Sequence, residues 1–401
     1  MIDIKEKTNC CGCTACQQIC PHGSIIMRED EQGFKYPEVD KATCVDCHLC
    51  EKVCPVINRY PPKEQPLKSY LAKTSDEWVR AESSSGGIFT VLADAILRDG
   101  GVVFGVKFDK NWQPEYGFTE SVDYLGEFRG SKYVQADLQQ TYKQVLFFLK
   151  QGRNVLFTGT PCYVSGLNHF LRKKYDNLLT IDFVCHSIPS PMIWRQYLSE
   201  LEQREECKIS HVTFRDKSNG WTNYSIRFDL IKYNNKVKSI IEKHDDNIYM
   251  RGFFRDLYTR PSCSACPARN YTSGSDVTLA DAWRINKYHP EKNDEKGISH
   301  VLINTKKGLK LYERLLSYVD NWEIDYKEVE PNSVHAPLTR SCRANRYRIP
   351  FYKKVEKGCS VTETAQYYLQ KEVKRQQRRK IVRKLFIAKI IHRLYNYFKL
   401  S

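Results

Sequence analysis

The chain places five cysteines in the twelve residues CCGCTACQQICP, positions 10 to 21. Cys10, Cys13, Cys16 and Cys20, followed by Pro21, spell C-x2-C-x2-C-x3-C-P and leave Cys11 outside the pattern. The same run returns as Cys44, Cys47, Cys50, Cys54 and Pro55. Thiolates are the soft ligands that iron–sulfur clusters take, and three spaced this closely can each meet one iron of a cubane. Structural zinc usually shows pairs of C-x2-C, and a disulfide framework does not produce two copies of a four-cysteine run with its proline. A 4Fe-4S cluster is therefore expected at each run. Cys11 reads as a small buried filler.

This spacing resembles that of bacterial two-cluster ferredoxins, in which the fourth cysteine of each run ligates the other cluster. The resemblance implies that Cys10, Cys13, Cys16 and Cys54 hold one cluster, and Cys44, Cys47, Cys50 and Cys20 the second.

Four further cysteines stand at places that matter. Cys162 follows a strand and opens a helix, and Cys185 follows the next strand. Both then lie at strand carboxyl ends, where α/β sheets keep their ligands. Cys263 and Cys266 form a C-x2-C loop between Pro261 and Pro267. An isolated cysteine is otherwise a small core hydrophobe, and a C-x2-C a redox pair or half a zinc site. We expect these four to converge on a third 4Fe-4S cluster. Cys207, Cys342 and Cys359 have no such setting.

The elements that must hold these residues are legible in outline. The two cysteine runs make residues 1–58 an internal repeat, and RYPPKEQP, 59 to 66, reads as a stiff linker. SSSGGIFTVLADAILRDG is a Ser/Gly turn opening an amphipathic helix that ends near Gly100, and GVVFGVKFD is a strand. NVLFTG is a buried strand, with Pro161 suited to the first turn of the helix after it. LLTIDFVC is a strand followed by the helix SPMIWRQYLSELEQ, while HVTFRDK and NYSIRFDLIKY alternate as antiparallel strands do. DVTLADAW and HVLINT are further strands, with a helix over 308–318. The fold class expected is α+β or α/β. A ferredoxin-like two-cluster module (1–58) leads into a mixed-sheet body (67–150 and 151–345), and a basic helical tail follows (346–401).

Composition narrows the function. A chain of 401 residues with 41% hydrophobic and 12% aromatic residues has material for full cores. The net charge of +16 suggests nucleic acid, but eleven Lys or Arg against Glu372 lie between Lys371 and Lys399. The body is only mildly basic and carries no nucleic-acid module, so no nucleic-acid partner is expected. The opening MIDIKEKTNC lacks an apolar h-region, and no apolar run reaches the roughly 18 to 20 residues of a membrane span. Thiols kept for iron fit a cytoplasmic protein. In the tail, Ile387, Ile391, Leu394 and Phe398 share one helical face among basic residues. This suits peripheral contact with an anionic membrane, at about 1 kcal/mol per basic residue, or docking on the body or a partner.

Several segments in order resemble the coenzyme F420 hydrogenase/dehydrogenase beta-subunit family, in its form with an N-terminal two-cluster module. They are SSSGG (83 to 87), RGSKYVQ (129 to 135), FTGTPC (157 to 162), CHSIPSP (185 to 191), FRDK (214 to 217), RPSCSAC (260 to 266), DVTLADAW (276 to 283) and GISHVLINTKKG (297 to 308). The resemblance implies an iron–sulfur flavoprotein oxidoreductase carrying FAD, with a redox protein or reduced cofactor and a small-molecule substrate as partners; the alternatives are an electron-transfer subunit without its own substrate site, and a structural or interaction protein that has lost its flavin. It also implies cluster ligands in the shared body. Where many members read GDFWG, this chain has Ala280, Asp281, Ala282, Trp283 and Arg284, which bears on F420 itself.

For a flavin, Ser84, Ser85, Gly86 and Gly87 before a helix offer hydroxyls, backbone approach and positive potential for a diphosphate, although serine and glycine also suit an ordinary cap. Lys132 and Tyr133 are expected at phosphate and ring, or as a solvated charge and a core tyrosine. Arg215 and Lys217 suit an anion, Arg215 equally an ion pair with Asp216 or Asp281. His186 is the candidate proton relay to the flavin, or a partner of a backbone carbonyl.

Overall fold

The computed structural model describes residues 1–232, 236–329 and 338–378. In the N-terminal module, the short helices Ala15–Ile19 and Leu49–Lys52 flank an antiparallel hairpin of β1 (Ile25–Glu29) and β2 (Lys35–Val39). The segment 59–66 carries no helix or strand, as its prolines predict.

The body is built on eight strands: β3 (Lys68–Thr74), β4 (Val102–Phe108), β5 (Pro114–Thr119), β6 (Val155–Gly159), β7 (Leu178–Phe183), β11 (Val277–Asp281), β12 (Ser299–Ile303) and β13 (Val319–Glu323). Between β7 and β11 the chain makes a separate antiparallel sheet of β8 (Cys207–Asp216), β9 (Ser225–Lys232) and β10 (Val237–Lys243). The large sheet runs β13-β3-β12-β11-β7-β6-β4-β5, and its strands come from both halves of the body. Its centre, β4-β6-β7-β11, is parallel, with Val155 opposite Leu178 and Val277 opposite Ile181; the outer strands pair antiparallel. This is the mixed α/β class expected.

Parallel strands are covered on both faces, so they read as continuous apolar runs. Val102, Val103, Phe104, Val155, Leu156 and Phe157 are all fully buried. The helices Thr141–Lys150 and Pro161–Leu171 cover one face through Val145, Val164 and Leu167. The helices Ile88–Arg98 and Lys306–Glu313 cover the other through Leu92 and Leu311. The expected helix over 308–318 is thus shorter, with a separate turn at Leu316–Tyr318. Cys11, Cys13 and Ala15 of the module join the first of these cores, which seats the module on the helix Pro161–Leu171.

A third core lies between the small sheet, the helix Pro191–Glu205 and the chain beyond 346. The helix Arg348–Val355 inserts Phe351 and Tyr352, and a helix from 361 to 378 buries Val361, Ala365, Tyr368 and Leu369. Glu200 caps the second helix by accepting from the amides of Val361 and Thr362. The segment expected as a basic tail therefore begins as part of the core. The apolar stripe of Ile387, Ile391, Leu394 and Phe398 lies outside the described residues. Among the described residues no helix is long and apolar enough to cross a membrane.

Candidate iron-sulfur centres

Both cysteine runs share one backbone conformation. Gly12 and Asp46, just before Cys13 and Cys47, have φ of 74° and 50°, and Thr14 and His48, just after them, have 58° and 57°. Left-handed backbone is unfavourable for threonine, aspartate and histidine, so its repetition marks a demand made at the same place twice. Alternating left- and right-handed residues turn successive N–H groups toward one point, the concavity that anions and iron–sulfur clusters occupy.

The cysteines group across the two runs. One open pocket is lined by Cys44, Cys47 and Cys50 together with Cys20 from the first run. The Ile2 amide donates to Cys50 Sγ at 3.2 Å. On the other side, Cys54 comes to Cys10, Cys13 and Cys16. Burial, then the neighbouring Cys10 and Cys54, pushes the Cys16 thiol up; burial foremost raises Cys54, and Cys10 adds to it.

The body's four cysteines also come together. Cys162 stands in the first turn of the helix Pro161–Leu171, with Thr160 Oγ1 at 3.3 Å from its sulfur. Cys185 follows β7. The Cys263–Cys266 loop reaches this edge because Thr259 pairs with Pro189 and the Arg260 amide donates to Ile188 O at 2.8 Å. The Ile188 amide in turn donates to Cys263 Sγ at 3.4 Å. Burial, then Cys263, with Cys162 and Cys266 behind it, pushes Cys185 well up. Burial, then Cys266 and Cys162, pushes Cys263 up to about 12. Among the described residues no three Cys, His, Asp or Glu side chains stand close enough for a single metal ion. A cubane spreads its four thiolates over four irons, so the wider all-sulfur grouping suits a cluster better than zinc.

Two cysteines have more to do than the sequence indicated. Cys11 is buried, as expected of a filler, but its thiol lies between Cys13, its strongest partner, and Cys162. It therefore joins the module's first group to the body's group. Cys342, raised first by burial, lies beside Asp256 and Cys263; its distance in sequence from the other cysteines gave no local signal.

The residues expected at a flavin have protein partners. Ser83 Oγ donates to Val79 O, Ser85 Oγ to Ile298 O, and Ser84 Oγ accepts from the Ser131 amide at 2.8 Å. A Cβ on Gly86 would stand 2.4 Å from Ala72 O and 2.9 Å from Ser299 N, so the glycine lets the turn pack on β3 and β12. Gly87 has a φ of 80° and takes the N-cap of the helix Ile88–Arg98. Lys132 Nζ donates to Arg129 O and Gly130 O, and burial pulls it down to about 7. The Tyr133 ring packs on Phe214 and Phe253, the core reading of that tyrosine.

Arg215 resolves as an ion pair with Asp281, at 3.1 and 3.2 Å, and lies over Tyr224 and Trp283. Lys217 Nζ donates to the carbonyls of Arg80 and Lys296. His186 Nε2 meets Asp256 Oδ1 at 2.9 Å rather than a backbone carbonyl.

Residues 9–58 match the 4Fe-4S dicluster domain, which makes the chain an iron–sulfur electron-transfer protein. Residues 69–142 match the N-terminal part and 152–331 the C-terminal part of the beta subunit of coenzyme F420 hydrogenase/dehydrogenase. The chain belongs to that coenzyme F420 hydrogenase/dehydrogenase beta-subunit family. No curated protein sequence matches it. Among solved structures, a chain of the F420-reducing [NiFe] hydrogenase complex from Methanosarcina barkeri, determined with xenon, is 15% identical. The match covers 78% of this chain and 94% of that one, with a TM-score of 0.44.

Proposed function

We propose that the chain is the electron-transfer subunit of an oxidoreductase, with three 4Fe-4S clusters in line and FAD as the two-electron partner. The observation that carries this reading is the convergence of Cys162, Cys185, Cys263 and Cys266 at the carboxyl edge of β6 and β7, joined to Cys13 through Cys11. Cys44, Cys47, Cys50 and Cys20 hold the outer cluster, around a cavity whose Cys47 is exposed. Cys10, Cys13, Cys16 and Cys54 hold the inner one against the body. Bound cubanes carry electrons singly, and a flavin would convert them to a two-electron exchange. FAD is the cofactor that the sequence resemblance implies; the serine–glycine turn, Lys132, Arg215, Lys217 and His186 do not single out its seat.

Anaerobic reconstitution tests this reading. The full chain should bind about twelve irons, and the Cys263→Ser, Cys266→Ser variant about eight. Equal iron in the two removes the third cluster. The visible bands of a flavin in the same preparation support FAD. Clusters without those bands favour the second reading, an electron-transfer subunit with no substrate site of its own, for which the inward-bonded Ser84, Ser85 and His186 already speak.

A further inference from the structure

Arg260 is a fully buried guanidinium at the junction of module and body, 1% exposed. Its Nε donates to Cys10 O at 2.8 Å, one terminal nitrogen to Cys10 Sγ at 3.5 Å and to Lys35 O at 2.9 Å, and the other to Gln135 Oε1 at 3.1 Å. The plane lies over the rings of Tyr36, at 4.4 Å, and Phe34, at 5.4 Å. Gly12 leaves room for it, since a Cβ there would stand 2.9 Å from the guanidinium carbon and 2.7 Å from Gln135 Nε2. The left-handed glycine beside the ligand run is therefore matched to this arginine as well as to its own turn.

No carboxylate pairs with Arg260 among its contacts; the acceptors are carbonyls, an amide and a thiol. A buried cation without a carboxylate partner is costly unless negative charge is supplied. The nearest candidate is the thiolate of Cys10. Cluster potentials depend on net charge, burial and hydrogen bonds to the sulfurs. One-electron reduction adds a negative charge to a cluster, which an N–H donor and a fixed positive charge stabilise. Around the outer cavity no arginine is among the lining residues, and the side chains there include Asp46 and His48.

We infer that Arg260 is a redox-tuning and positioning residue: it locks the Cys10 loop to the body and raises the potential of the inner cluster above that of the outer one. An electron entering the module from a low-potential one-electron donor then resides on the cluster next to Cys11 and Cys162. The inference rests on the ligation proposed above and assigns its direction of preference.

The test uses the full chain, reconstituted anaerobically, with iron and EPR signals counted first. In unaltered protein labelled with 15N-arginine, one reduced cluster should show a 15N coupling across the N–H···S contact. Arg260→Gln should abolish that coupling and lower the same cluster's midpoint. Its reduced fraction, measured at the unaltered midpoint, should shift about tenfold in ratio, which is about 59 mV for one electron, while the other cluster stays put. Arg260→Lys, which keeps the charge but not the fork, should recover part of the shift without the coupling. Full cluster content with no 15N coupling, or an unmoved midpoint in Arg260→Gln, overturns the inference alone. A module that binds no cluster overturns both it and the ligation. Should Arg260→Gln fail to fold, the coupling in unaltered protein decides.

Discussion

Gly166 faces Cys13 across the junction of body and module. A Cβ on Gly166 would stand 2.8 Å from Cys13 Cβ, 3.1 Å from its Sγ and 2.7 Å from Tyr142 Oη. The helix Pro161–Leu171 thus passes with bare backbone against Cys13 of the inner group. Overpacking of this kind costs about 1–3 kcal/mol, and here part of the displacement falls on a thiol. Gly166→Ala should lower stability by about that much and reduce iron at the inner cluster. Gly126→Ala, whose nearest neighbour would be 3.8 Å away, should leave iron content unchanged. Chemical denaturation and iron analysis of the two variants check this.

The proposed ligation exchanges Cys54 and Cys20 between the runs. A Cys54→Ser variant should therefore perturb the same EPR signal as Cys16→Ser, and Cys20→Ser the same one as Cys50→Ser. Matching by sequence proximity instead, with Cys54→Ser resembling Cys50→Ser, would contradict the grouping.

The Arg215–Asp281 pair is the charged centre of the strand-end region, and Trp221 Nε1 also donates to Asp281 at 3.1 Å. Asp281→Asn removes the counter-charge and leaves a buried guanidinium, a loss of about 3–5 kcal/mol. Replacing Arg215 with Met in that background should recover part of it, because no unpaired charge remains. Urea unfolding of the single and double variants measures both.

Burial pushes Asp182 up to about 6, against the hydroxyls of Ser273 and Thr278 that bond to it. Its folded pKa lies above the model-peptide value of 3.8, so the native state holds the proton longer than the unfolded chain. Stability from this group is highest at low pH, falls as pH rises from about 4 to 6, and stays reduced above that. Asp182→Asn should flatten this fall and melt no lower than the unaltered chain at pH 7. Melting curves across that window, compared as differences between the two proteins, give the result.

Much of the body could be read in advance where burial is continuous. The runs of β4, β6 and β7, the helix Ile88–Arg98 and the antiparallel pair β8–β9 announce themselves by period and by glycine or proline at their ends. The strands β3, β5 and β13 did not. Lys68–Thr74 and Val319–Glu323 mix charges with apolar residues, and β5 and β13 stand at the sheet's two edges, where polar residues are tolerated. The helix 361–378 looked like a charged tail because its buried face is short: Val361, Thr364, Ala365, Tyr368 and Leu369. Gly86 packs against Ala72 and Ser299, on two strands that no local signal says it touches.

The sequence by itself determined the chemistry of the module. A C-x2-C-x2-C run brings three thiolates around one short turn, and that local geometry needs no partner beyond the neighbouring residues. It also determined that Cys162 and Cys185 end successive strands, since periodicity and Pro161 mark those ends. Only the tertiary structure decided that these two meet Cys263 and Cys266. Their meeting requires β6 and β7 to be neighbours in a parallel sheet and Thr259 to pair with Pro189, 70 residues away, contacts that no local preference encodes. The same holds for Cys11 between Cys13 and Cys162, and for Arg260 on Cys10, 250 residues away along the chain. Thiol type and spacing are covalent properties of the chain, whereas which thiols face each other follows from packing two cores together.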